Sequence, residues 1–133
     1  FLSLVKLCKF LKKKYKVKDR NIVGHSDIAP LRKKDPGEKF PWPFLAKKKV
    51  GLWHQVSRKK LENNRKKKVN KNDKKKFYKN LLKIGYLNKK INQNKLINFI
   101  IKAFQRRYRQ ELINGKLDKE CLIISENITK KLN

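Results

Sequence analysis

His25 and Asp35 stand ten residues apart, and Lys33 lies two residues before the aspartate. Imidazole and carboxylate are both zinc ligands, and a catalytic zinc takes three protein ligands and a water. A Pro-bearing loop of this length can bring its two ends to one metal. An ammonium at Lys33 beside such a metal would stabilise an oxyanion. On spacing alone, a hydrogen-bonded pair or no interaction is the commoner outcome for one His and one Asp so placed. His54 is the other imidazole of the chain. Cys8 and Cys121 lie far apart and form neither a metal pair nor a disulfide framework. They read as two buried small apolar residues.

The elements that must position these groups can be read from periodicity. Leu4, Val5, Cys8, Leu11 and Tyr15 make the stripe of an amphipathic helix over residues 1–16, with lysines opposite. Ile22 and Val23, within Asn21–Gly24, read as a brief strand that delivers His25. The following segment to Gly37 has two prolines and no period, so it reads as a loop. A short helix is possible from Pro43. Between Lys47 and Lys76 the chain is dominated by Lys, Asn and Arg, and it reads as a basic linker with one helical turn at most.

Periodicity returns beyond residue 76. Phe77, Leu81, Leu82 and Ile84 predict a helix that Gly85 closes. Leu96, Ile97, Ile100, Ile101, Phe104 and Tyr108 mark a longer helix within 92–109. Asn114-Gly115 is a turn. Asp118 can cap a third helix with Cys121, Leu122, Ser125, Ile128 and Leu132 on its inner face. Together these predict a three-helix bundle of about 55 residues, near the lower limit for independent folding.

The charge suggests a different class of partner. The 133 residues include 39 Lys or Arg against 10 Asp or Glu, for a formal net charge of +29. Such a surface suits phosphates. Of the basic residues 32 are Lys and 7 are Arg, whereas base-edge readout favours the planar Arg fork. The 13 Asn and 11 Ile point to compositional drift toward A/T-rich codons. No stretch approaches the roughly 20 apolar residues of a membrane span. The opening FLSLVKLCKFLKKK lacks the charged-then-apolar order of a signal peptide.

Residues Val23 to Trp42 follow the pattern V-x-H-S-D-I-A-P-x-R-K-x-D-P-G-x-x-F-P-W. This resembles the signature of the zinc-dependent N-acetylmuramoyl-L-alanine amidases of the AmpD/AmiD type. The resemblance implies that His25 and Asp35 are two zinc ligands and that Lys33 is the catalytic lysine. It also implies that Phe40 and Trp42 pack behind the loop. Helix 1–16 resembles the last helix of the amidase domain. Leu81 to Tyr86, Ala103-Phe104-Gln105 and the G-x-x-D-x-E run from Gly115 to Glu120 resemble a three-helix peptidoglycan-binding module.

In the family, the remaining zinc His and the acidic residue precede the part that this chain resembles. His54 follows the loop and is not expected to replace that His. The expectation is therefore an α/β amidase-domain fragment (helix, strand, zinc loop) over 1–56, a basic linker over 57–75 and an all-α peptidoglycan-binding-like bundle over 76–133. The implied partners are peptidoglycan or muropeptides and a complementing N-terminal amidase fragment, in a bacterial cell envelope. Little amidase activity is expected of the chain alone. The alternatives are a non-catalytic peptidoglycan-binding protein and, ranked last, a Lys-rich nucleic-acid binder.

Overall fold

The computed structural model of the chain describes residues 1–87 and 93–132. Among the described residues seven α-helices follow one another: α1 (Leu2–Tyr15), α2 (His25–Ile28), α3 (Trp42–Lys47), α4 (Arg58–Asn64), α5 (Lys71–Ile84), α6 (Gln93–Tyr108) and α7 (Lys119–Lys130). A single 3-10 turn, Asp19–Asn21, lies between α1 and α2. Asn92, where the sixth helix was expected to start, falls outside the described residues.

The expected α/β character is corrected by this architecture: the described residues contain no strand. Ile22 and Gly24 do have extended backbone, but no neighbouring strand pairs with them. A strand requires a ladder partner for its polar backbone groups. Here the Ile22 carbonyl accepts from the Arg107 guanidinium at 3.4 Å, and the Gly24 N–H donates to the Asp27 carboxylate at 2.7 Å. The backbone is satisfied by side chains, so no sheet is needed to deliver His25.

Two apolar clusters hold the helices. The smaller has Val5, Leu45 and Val50 at its centre, with Leu4, Cys8, Ile22, Phe40 and Phe44 against them. It joins the inner stripe of α1 to α3. Lys12 closes the same corner by bonding Asp19 at 2.6 Å. Leu11 and Tyr15, expected on the inner stripe, are exposed.

The larger cluster unites α5, α6 and α7 through Phe77, Leu81, Ile100, Phe104, Cys121, Ile124 and Ile128. Caps fix the helix ends. Asn70 and Asp73 bond each other's backbone N–H groups at the start of α5. Gly85 ends α5 with φ +112°, a conformation that costs glycine little. Asp118 accepts from the Cys121 N–H at 2.9 Å to start α7.

Three polar side chains of the bundle are fully buried and explain its sequence hallmarks. Gln105 accepts from the N–H groups of Asn114 and Gly115, at 3.0 and 2.9 Å, and donates to the Lys116 carbonyl. It thereby satisfies a turn that has no regular ladder. Arg109 bonds both Asp118 and Glu120. Glu120 also receives a bidentate pair from Arg65, both bonds at 2.8 Å.

Arg65 belongs to the segment 57–75, which reads as a linker by composition. In the structure this segment carries α4, whose Leu61 packs on the bundle core. Its backbone also bonds the start of α7, with Lys66 N–H to Asp118 at 3.1 Å and Lys119 N–H to the Lys67 carbonyl at 3.0 Å. Among the described residues no helix is long and apolar enough to cross a membrane.

Candidate functional site

The loop between Gly24 and Gly37 closes on itself. The Ser26 N–H donates to the Asp35 carbonyl at 2.9 Å, which brings the two ends of the loop side by side. His25 Nδ1 and Asp35 Oδ2 then stand 3.2 Å apart, both side chains open to solvent. Between them the chain makes the one-turn helix α2, then folds back through Arg32 and Lys33, whose N–H groups donate to the Ala29 carbonyl. The expected irregular loop thus contains a short helix at its start.

Small residues and a buried carboxylate shape this closure. A Cβ on Gly24 would lie 2.7 Å from Pro36 Cδ and 3.3 Å from Trp42 Cζ2, so only glycine fits there without displacement. Asp27 is buried, and its two oxygens have separate tasks. Oδ2 accepts from the Gly24 N–H, and Oδ1 accepts from the Tyr86 hydroxyl at 2.5 Å. Burial, and then the adjacent Asp27 charge, push the Tyr86 phenol well above its ordinary pKa, so it stays a donor.

Behind the loop, Trp42 is buried edge-on to Phe40, with ring centroids 4.6 Å apart. The Arg107 guanidinium lies over the Trp42 ring, its carbon 3.3 Å from the centroid. Asp27, Tyr86 and Arg107 were assigned no role from sequence. Asp27 sat inside the irregular motif and was its available signal; the other two contacts span 59 and 85 residues.

Of the three predicted site residues, the structure brings His25 and Asp35 together. Lys33 sits on the same loop, with no side-chain bond to either among the described residues. His54 is buried elsewhere, stacked on Trp53 at 4.7 Å, and its Nδ1 has no hydrogen-bond partner among the described residues. Burial pushes its pKa down, because a charged imidazole would lose hydration there.

The pair fits part of a metal centre. Two donors about 2.0–2.2 Å from one tetrahedral zinc stand about 3.3 Å apart or slightly more. The 3.2 Å between His25 and Asp35 suits two neighbouring corners. No cluster of three or more His, Cys, Asp or Glu occurs among the described residues, whereas a catalytic zinc takes three protein ligands, so the pair by itself would offer two of them.

Comparison with known proteins gives a consistent outcome. No protein-family model matches the chain. The N-acetylmuramoyl-L-alanine amidase AmiD of Escherichia coli (strain K12) is 33% identical over 129 residues, covering 97% of this chain and 47% of that protein. Among solved structures, the complex of Escherichia coli AmiD with anhydro-N-acetylmuramic acid-L-Ala-D-gamma-Glu-L-Lys superposes with a TM-score of 0.80 at 32% identity. That match covers 98% of this chain and 51% of the other. AmpDH3 from Pseudomonas aeruginosa gives a TM-score of 0.78 at 28% identity, covering 96% of this chain and 51% of its own. In sequence and fold the chain is therefore similar to the N-acetylmuramoyl-L-alanine amidases of the AmpD/AmiD type, and it spans about half the length of the relatives it matches.

Proposed function

We propose that the chain forms part of a zinc-dependent amidase that hydrolyses the bond between N-acetylmuramic acid and L-alanine in peptidoglycan or muropeptides. The observation that carries this reading is the convergence of His25 and Asp35 to 3.2 Å within a loop closed by the Ser26–Asp35 backbone bond. These two residues hold the ion. Zinc at that position supplies Lewis acidity and lowers the pKa of water at the site. Lys33, a cation on the same loop, steadies the oxyanion that develops as the amide carbonyl is attacked. The third ligand and the general base come from the half of the relatives that this chain does not span.

The surface of the first thirty residues supports that division. Leu2, Leu7, Phe10 and Ile28 are each more than half exposed. Exposed apolar side chains along α1, Leu2, Leu7 and Phe10, suit a face that something covers. The rest of the amidase fold, continuous with this chain or supplied as a separate fragment, is the proposed cover. In the same reading 1–56 is amidase, 57–75 connects, and 76–133 holds the enzyme on peptidoglycan in a bacterial envelope.

The test is release of stem peptide from muropeptides by the chain alone and by the chain mixed with the remaining half of a relative. The expected result is negligible release alone and zinc-dependent release from the mixture. Release by the chain alone at the rate of a full-length relative would overturn the divided site, and none in either arm would overturn the amidase reading. Retention of the chain on purified sacculi checks the binding role separately.

A further inference from the structure

The chain beyond residue 85 reaches back to the His25–Asp35 loop at three points. Tyr86 donates to Asp27, whose other oxygen holds the Gly24 N–H. Arg107 donates from one nitrogen to the carbonyls of Ile22 and Leu52, at 3.4 and 3.2 Å, while its plane covers Trp42. Gln110 donates to the Phe40 carbonyl at 2.9 Å. Ile22 and Gly24 immediately precede His25 in the chain, and Trp42 lies within van der Waals reach of a Cβ at Gly24.

Arg107 is the more telling of these residues. It is 2% exposed, and its Nε and Nη1 have no hydrogen-bond partner among the described residues. Burying a guanidinium is unfavourable unless its charge is used, and a hydrocarbon side chain would fill the space without that penalty. The contacts that use the charge are the Tyr108 ring on its own helix, the Leu52 carbonyl, and the Trp42 ring and Ile22 carbonyl that flank the loop. Tyr86 makes the same point from the other side: a Phe would pack equally well in the core but would leave Asp27 one bond short.

We infer that Tyr86 and Arg107 are positioning residues for the His25–Asp35 loop, so that the helical bundle forms part of the frame of the site. The metal half of this inference rests on the proposed function; the loop half does not. The connection runs from Tyr86 through Asp27 to the amide of Gly24, and from Arg107 through Trp42 and Ile22 to the same glycine. Loss of either contact frees the backbone next to His25 and loosens its spacing to Asp35.

The test is amide hydrogen exchange by NMR on the full chain, wild type against Tyr86→Phe and Arg107→Met, with a zinc titration followed at the His25 ring. Exchange at Gly24, Ser26 and Asp27 is expected to rise about tenfold in each variant, the scale of one lost bond to a charged group. Exchange at Phe104 and Ile124 in the bundle core should hold. Zinc affinity at His25 should fall by a similar factor. Unchanged loop exchange would overturn the inference, as would a rise by one common factor at the loop and in the core. Faster loop exchange with no zinc response in the wild type would uphold the positioning role and show that zinc is held only once the third ligand, outside this chain, is supplied.

Discussion

Tyr86 and Asp27 share a 2.5 Å hydrogen bond across 59 residues of sequence, and it ties the end of α5 to the loop that carries His25. Both groups are buried, so the bond forms where water does not compete. Its effect reaches one residue further, because the same carboxylate fixes the Gly24 amide. Loop geometry in this fold is therefore a property of the tertiary contact and not of the loop sequence alone.

Gly24→Ala tests how tightly the loop is closed. The added methyl meets Pro36 Cδ at 2.7 Å and Trp42 Cζ2 at 3.3 Å, so the proline ring must shift to admit it. Overpacking of this kind costs about 1–3 kcal/mol. Urea unfolding should show a loss in that range, and the His25–Asp35 spacing should widen, read as weaker zinc binding at the His25 ring. A variant as stable as the wild type would show that the loop yields without penalty.

The parts of this architecture that were legible in the sequence are those fixed locally. Asp118 and Gly85 act on atoms within four residues, so their capping roles follow from residue type. The loop was legible because its prolines, glycines and charged residues fit no regular period. The strand was misread because Ile22 and Val23 carry the right side chains, while a strand also needs a partner that only the tertiary fold supplies. The segment 57–75 was obscured by its lysines. Leu61 is one apolar residue among many charges, and the Arg65–Glu120 pair spans 55 residues. Tyr86 and Arg107 share that difficulty: nothing near them in sequence names the loop they hold.

His54 should make stability fall with acid. Desolvation holds its folded-state pKa below 6.5; it outweighs the opposing influence of the Tyr108 backbone and the charges of Glu111 and Glu120, while Lys131 adds to the lowering. The unfolded chain then binds the proton more readily, so stability is full above 6.5 and declines as pH falls through the lowered value. In His54→Gln the change in urea midpoint between pH 8 and pH 5 should shrink relative to wild type. An unchanged slope would show that His54 contributes none of it.

The two thiols should separate cleanly in reactivity. Burial pushes Cys121 up to about 12, and its sulfur is fully enclosed. At pH 8 its thiolate fraction is then about one part in ten thousand, and the thiolate is the reactive form. Cys8 is only half-buried and free. A disulfide reagent should label one equivalent per native chain, at Cys8, with the second appearing at the rate of unfolding. Rapid labelling of both would contradict the packing of α7 on α5.

Glu120 should be the most costly single carboxylate to remove. It is fully buried, and it bonds Arg109, also fully buried, as well as the quarter-exposed Arg65. Truncation in Glu120→Ala leaves the Arg109 charge enclosed with Asp118 as its remaining carboxylate, beside the Leu112 carbonyl and Asn114. Breaking a buried pair in this way costs about 3–5 kcal/mol. Arg65→Ala removes the more solvated partner and should cost about 1 kcal/mol. Urea unfolding of the two single variants and the double variant checks the difference. The double variant should fall short of their sum, because Arg65 has no carboxylate left to lose once Glu120 is gone. Equal losses from the two single variants would mean that solvent reaches Arg109, and the buried network could not then be what fixes α4 and the turn before α7 to the bundle.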